Sequence, residues 1–371
     1  MEKKLKVVQV LPSLESGGVE RGVLETAKAL SDQGHESLVI SAGGRLVETL
    51  EAQGSKHVSW DLGKKSLSML FQVKAMRRWL ELNQPDVIHV RSRMPAWVVW
   101  LAWRKMPAKK RPHLVSVFHG LHSVSRYSEI MGCGERVIAV SEAVKDYILT
   151  NYPRISPDKI RMAYRGVDPQ DFPRDYQPEQ SWLDDFYEQY PQCQGKKIIT
   201  LPGRLTRLKG HLQFLPVLKQ LVEKDSSIVG LIVGGEDPKR KHYAKEVYAK
   251  AKELGLSDNL VFAGHRSDIR DIYSISNLVL SLSSKPESFG RTVLEPLAMS
   301  VPVVAWNHGG VTEILRELYP QGLVTLNDTQ QLLETISVCL SSPTEIKENA
   351  KFLLSTMTTA EIDVYKEVVA Q

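Results

Sequence analysis

The chain has 371 residues, a net charge of +5, 42% apolar and 25% charged residues, the balance of a globular protein about twice the usual domain size. Its three cysteines, Cys133, Cys193 and Cys339, are odd in number and widely spaced, which argues against a disulfide framework or a zinc site and for a reducing compartment. No apolar run approaches the roughly 18 residues that span a bilayer, and the N-terminus enters a strand pattern at once, so no signal peptide is expected.

The first strand is expected over 5–11 (LKVVQVL) and the first helix over 19–33. Between them Gly17 and Gly18 stand where backbone amides at a helix start approach an anion closely. With glycines at 17, 18 and 22 the dinucleotide fingerprint is not met, and a purely structural turn is an equal reading. Further strands are expected at 36–42, 86–92, 113–120 and 136–141, with a helix over 67–82. The strand HLVSVFHG ends on His119, a lone imidazole that reads either as structural or as a neutral group orienting a hydroxyl near a leaving group.

Charge is uneven. Residues 1–180 carry 27 Lys/Arg against 20 Asp/Glu, whereas 181–371 carry 21 against 23. Within 64–111 there are twelve cations, from Lys64 and Lys65 through Arg91 to Lys109, Lys110 and Arg111, and two anions, Glu81 and Asp86. An anionic partner is as good a reading there as a solvated face. Trp97, Trp100 and Trp103 share one helical face, which suits either core packing or a helix lying on an anionic membrane. They are not interleaved for base stacking, so no nucleic-acid partner is expected.

The alternation breaks at about 168–195, which is rich in Pro, Gln and acidic residues and holds no strand pattern. We read a first domain over 1–175, a linker over 176–195 and a second domain over 196–355, with a last helix, 356–371, able to pack back on the first. In the second half strands are expected at 197–203, 227–235, 259–265, 277–283, 301–306 and 322–326, and helices at 208–224, 240–255 and 328–341. The strand runs are apolar at successive positions, as in parallel strands buried on both faces, so the fold class is doubly wound α/β.

Three loops of this half carry candidate chemistry. The stretch LPGRLTRLKG places Arg204 and Lys209 beside a helix start, a fit for a diphosphate, although the pair alone reads by default as two solvated loop charges. The stretch FAGHRSDI places Arg266 where it could stack on a base, with Asp268 as a helix N-cap. The stretch ESFGRTVLE sets Glu287 in a loop and Glu295 in the following helix, with Gly290 freeing amides at its first turn. Carboxylates only accept hydrogen bonds, which suits sugar and ribose hydroxyls; a local cap on backbone amides is the other reading, though it would explain one glutamate and not both.

Together Gly17-Gly18, His119, Arg204 with Lys209, Arg266 and Glu287-x7-Glu295 resemble the retaining, nucleotide-sugar-dependent glycosyltransferases of the GT-B fold, family four. The resemblance covers nearly the whole chain and is strongest over 196–315. It implies two Rossmann-like domains facing across a cleft. It implies that Arg204 and Lys209 bind the donor diphosphate, that Glu295 accepts from the ribose, and that Glu287 holds hydroxyls of the transferred sugar. The amides around Phe289, Gly290, Arg291 and Thr292 would meet sugar and phosphate, and Arg266 would bracket the base largely through its backbone. His119 would lie by the anomeric region, and Gly17 and Gly18 would border the diphosphate or the acceptor. The chain departs from the family at Arg291, where an aliphatic residue is common, and at Met299-Ser300-Val301 in place of Ala-x-Gly.

The implied reaction moves a hexose or hexosamine, from a UDP-sugar in the first instance, to a saccharide or lipid-linked acceptor, with no metal and no other cofactor. A narrower likeness, in FGRTVLE, FHGLHSVSRYS and NHGGVTEIL, is to bacterial enzymes of lipopolysaccharide core and other surface polysaccharide. Such an enzyme would be cytoplasmic and peripheral at the inner face of the membrane. Alternatives are a GT-B epimerase, which would act on donor alone, a phosphorylase, for which no cofactor lysine is identifiable, and a non-catalytic polyanion- or membrane-binding protein.

Overall fold

The computed structural model describes residues 3–15, 17–63, 69–237, 241–342 and 345–370. The chain divides into two units, Met1–Arg165 with Leu354–Gln371, and Gly166–Leu353.

The first unit holds seven strands: β1 (Lys6–Val10), β2 (Glu36–Ser41), β3 (Lys56–Ser59), β4 (Val87–Val90), β5 (His113–Phe118), β6 (Arg136–Ala139) and β7 (Ile160–Met162). They pair in parallel in the order β3-β2-β1-β4-β5-β6-β7, so the winding reverses between β1 and β4. The second unit holds β8 (Lys197–Pro202), β9 (Ile228–Val233), β10 (Leu260–Gly264), β11 (Leu278–Ser281), β12 (Val303–Trp306) and β13 (Leu323–Val324). Their parallel order is β10-β9-β8-β11-β12-β13, reversing between β8 and β11. In such sheets ligands bind beyond the strand C-termini at the reversal. The fold is GT-B: two doubly wound α/β domains.

Strands such as β9, buried along its whole length, are flanked by helices on both faces, which is why their apolar residues run without alternation. β3 and β7 escaped the sequence reading because they are short edge strands. β3 (KHVS) has no fully buried residue, so it carries no apolar run to detect.

The segment 176–195 is not a bare linker. It forms the helix Gln180–Gln189, in which Trp182 and Phe186 stack at 5.0 Å and pack with Val229, Leu231 and Val261 in a core of the second unit. Two aromatics four residues apart supply one buried face, and the polar residues between them hid it. The last helix, Leu354–Ala370, belongs to the first unit and places Ile362, Val364, Tyr365 and Val368 in its core.

The basic segment also needs correction. Lys64 and Lys65 lie outside the described residues. Arg91 is enclosed in the core and contributes nothing to a surface. The three tryptophans of the helix Arg93–Trp103 are half-buried against the core. Trp97 donates its indole N–H to Tyr127 O at 3.1 Å and Trp103 to Pro112 O at 2.7 Å, which favours packing over a lipid-facing role. No described helix is long and apolar enough to cross a membrane.

Candidate active site

The reversal of the second sheet brings together the loops that follow β8 and β11. Ser284 N donates to Leu208 O at 2.8 Å, and Lys209 Nζ meets Glu287 Oε1 at 2.6 Å. Ser283 also donates to Glu287 Oε1. Burial would raise the Glu287 carboxyl, but the Lys209 ammonium, its hydrogen bond and that of Ser283 outweigh this and hold it below its usual range. Glu287 is therefore a fixed anion. The ammonium has three N–H donors and spends one on Glu287, so Lys209 retains donors for a phosphate. Arg204, at the end of β8, is exposed and has no ion pair among the described residues, whereas Arg207 in the same loop is committed to Glu246.

Gly290 initiates the helix Arg291–Ala298 with φ +113°, and an added Cβ would lie 2.8 Å from Val311 Cγ2. Only glycine fits there, and it sets the first turn of the helix, with the backbone of Arg291 and Thr292, directly after the Glu287 loop. The Phe289 side chain is core, edge-on to Phe352 at 5.7 Å, so its backbone alone is open to a ligand role. Glu295, one turn on from Arg291, is buried. It meets Arg291 Nε at 3.3 Å and accepts from Tyr273 Oη at 3.4 Å.

Arg266 departs from expectation. Its guanidinium grips Asp268 at 2.9 and 2.5 Å and sets one face over Phe186, so its N–H edge and that face are engaged in holding the helix Gln180–Gln189. Asp268 occupies the N-cap of the helix Ile269–Ser274 yet makes no side-chain capping bond, because its carboxylate serves Arg266 and Trp182.

In the first unit Gly17, with φ +155°, precedes the helix Gly18–Asp32 and Gly18 is its first residue; an added Cβ at Gly18 would meet open space. His119 follows β5, and its Nδ1 accepts from Arg165 Nη2. Burial and the guanidinium of Arg165, with that of Arg91 beyond, push its pKa well below the usual value, so the imidazole stays neutral. Its Nε2 is buried, with no hydrogen-bond partner among the described residues.

Several residues at these reversals were not singled out from the sequence. Glu287 is braced from β12: Gly310 N donates to Glu287 O at 2.8 Å, and His308 Nε2 lies 2.8 Å from Ser283 O. The Gly309-Gly310 pair between a strand run and a helix pattern was the available signal. In the first unit Arg91 pairs with Glu361 at 2.6 Å, with Thr26, Gln9 and Arg165 around them. No sequence spacing advertises a pair 270 residues apart.

Residues 16–171 match the model of Glycosyltransferase Family 4, and residues 185–352 that of Glycosyl transferases group 1. A glycosyltransferase from Rickettsia africae is 31% identical with a TM-score of 0.87, over 99% of both chains. Anabaena HepE, solved in complex with UDP and glucose, is 22% identical with a TM-score of 0.73, over 99% of this chain and 96% of that one. Spore coat protein SA of Bacillus subtilis is 23% identical over 356 residues, 92% of this chain and 90% of that one. Sheet order, loop chemistry at the reversals and these likenesses agree: the chain belongs to the GT-B glycosyltransferases and is a glycosyltransferase of group 1.

Proposed function

We propose that the protein transfers a hexose or hexosamine from a UDP-sugar to a saccharide or lipid-linked acceptor of a bacterial surface polysaccharide, such as lipopolysaccharide core, with retention and without a metal. The observation that carries this reading is the Lys209–Glu287 pair at the reversal of the second sheet, in the loop that leads to the helix start at Gly290. Lys209, Arg204 and the first-turn amides supply positive charge for a leaving diphosphate. Glu287 accepts from sugar hydroxyls, Glu295 from the ribose, and the backbone at Arg266 brackets the base. His119 lies by the anomeric region of the transferred sugar, and Gly17 and Gly18 border the diphosphate or acceptor. The Anabaena HepE complex supports UDP as the nucleotide.

In this reading the acceptor hydroxyl attacks the anomeric carbon on the face from which UDP departs. The C–O bond to phosphate breaks, the new glycosidic bond forms, and the hydroxyl proton passes to the leaving phosphate. Catalysis is positioning and stabilisation of growing negative charge. Incubation with UDP-sugars and saccharide acceptors, read by anomeric NMR couplings, tests it. A product with inverted configuration, turnover abolished by EDTA and restored by Mg²⁺ or Mn²⁺, or consumption of donor without acceptor would each overturn the corresponding part.

Attachment to an anionic membrane face is part of the proposal. On the helix Met69–Asn83, Phe71 and Leu82 are 80% and 74% exposed, with Lys74, Arg77 and Arg78 exposed between them. Apolar residues among cations suit acidic headgroups, each cation contributing about 1 kcal/mol near the surface. Phosphatidylglycerol vesicles should bind the protein in a salt-sensitive way and neutral vesicles weakly. Lys74, Arg78, Lys109 and Lys110 changed together to Ser should lose the binding. Equal binding to both vesicle types, or to neither, would refute it.

A further inference from the structure

We propose that Arg165, held by Glu361 of the last helix, is a positioning residue that fixes the tautomer of His119 and leaves its Nε2–H as donor to a substrate oxygen. The inference rests on His119 lying beside the reacting sugar, as the proposed function has it.

A guanidinium offers only N–H groups, so the contact between Arg165 Nη2 and His119 Nδ1 requires Nδ1 to accept. The ring proton of the neutral imidazole is then on Nε2. That atom is buried and has no hydrogen-bond partner among the described residues, so it is left to a ligand or a water to accept from it. Arg165 is itself located from the last helix: its Nη1 lies 3.4 Å from Glu361 Oε1 and 3.4 Å from Met357 Sδ. Glu361 is immobilised in turn by Arg91 Nη2 at 2.6 Å and Thr26 Oγ1 at 2.8 Å. Gly22, inside the first helix, makes room, since an added Cβ would stand 2.8 Å from Arg165 Nη1.

The charged and titratable groups around the imidazole reinforce the assignment. Burial, Arg165, Arg91, His89 and His122 all disfavour a second proton on His119. Glu361 lies behind Arg165 and answers both guanidinium groups, and Tyr365 is bonded to His89 at 2.6 Å. The ring is thereby kept neutral in one tautomer, ready to donate to a hydroxyl or phosphoryl oxygen and unable to take its proton.

Side-chain ¹⁵N NMR on histidine-labelled full-length protein tests this, with the His119 signals assigned by their loss in His119→Gln. Wild type should show a bare Nδ1 and a protonated Nε2 across the neutral range. Arg165→Gln should mix the tautomers, raise the His119 titration midpoint, and lower kcat by about 10- to 100-fold with a much smaller change in KM. Arg165→Lys, which keeps a donor and a charge, should restore much of each. A proton on Nδ1 in wild type, which needs no variant to fold, would overturn the inference, as would a tautomer indifferent to Arg165→Gln. If instead His119→Gln left kcat unchanged, the role of His119 in the proposed function would fall, and the NMR signal would still decide the positioning.

Discussion

The two sheets reverse at equivalent places and finish the reversal differently. Beside β1 and β4, Arg91 and Glu361 meet at 2.6 Å with both side chains fully enclosed. Beside β8 and β11, Lys209 and Glu287 also meet at 2.6 Å but keep 23% and 17% of their side-chain surface. One distance serves two ends. The enclosed pair has its N–H groups and lone pairs met by Gln9, Thr26 and Arg165, and it ties a terminal helix to a sheet. The loop pair is prepared yet unsaturated, which is what a polar ligand requires.

The comparison breaks or sharpens most on Glu361→Ala. Removing the carboxylate that meets both buried guanidinium groups should destabilise the fold by about 3–5 kcal/mol in chemical unfolding. Glu287→Ala should cost about 1 kcal/mol or less, as for pairs that water reaches. Equal losses would show that both pairs are structural.

Next in size is the chemistry. Lys209→Ala and Arg204→Ala should each lower kcat by about 10²–10³, the usual cost of losing one preorganised donor to a developing anion, with folding intact. Steady-state kinetics that changed only KM would remove these residues from transition-state stabilisation. Glu295→Ala should weaken free UDP and the full donor alike, by about 1.5–3 kcal/mol for a lost charged acceptor, read by calorimetry. Glu287→Ala should leave free UDP binding unchanged and lower transfer. Normal nucleotide affinity in Glu295→Ala would refute its assignment to the ribose.

The smallest effect is a pH dependence. The folded state holds Glu287 below its ordinary value of 4.5. The carboxylate therefore adds stability above that value and loses it as pH falls through the lower folded value. The stability difference between wild type and Glu287→Gln should be level above about pH 5 and vanish on further acidification, with an amplitude of about 1 kcal/mol or less. A difference that grew on acidification would contradict the lowered carboxyl.

Much of the second unit's candidate site was legible because its parts are local. Arg204 and Lys209 lie within seven residues of the end of β8, and Glu287, Gly290 and Glu295 share one strand–loop–helix unit. Spacing reports which residues share a loop. It does not report which groups already consume one another, so Arg266 looked available when Asp268 holds it. Arg91 was counted as surface charge for the same reason, since its partner, Glu361, is 270 residues away.

By itself the sequence determined the alternation of buried strands and helices, the two-domain α/β class and the loops that carry polar chemistry. These follow from the periods of apolar residues and from where glycines and charges interrupt them. Only the tertiary structure decided that Glu361 of the last helix meets Arg91, that 176–195 packs as a helix on the second unit, and that Gly310 braces Glu287. Those outcomes depend on which distant surfaces exclude water together and which buried charge finds its counter-charge. Neither leaves a pattern along the chain.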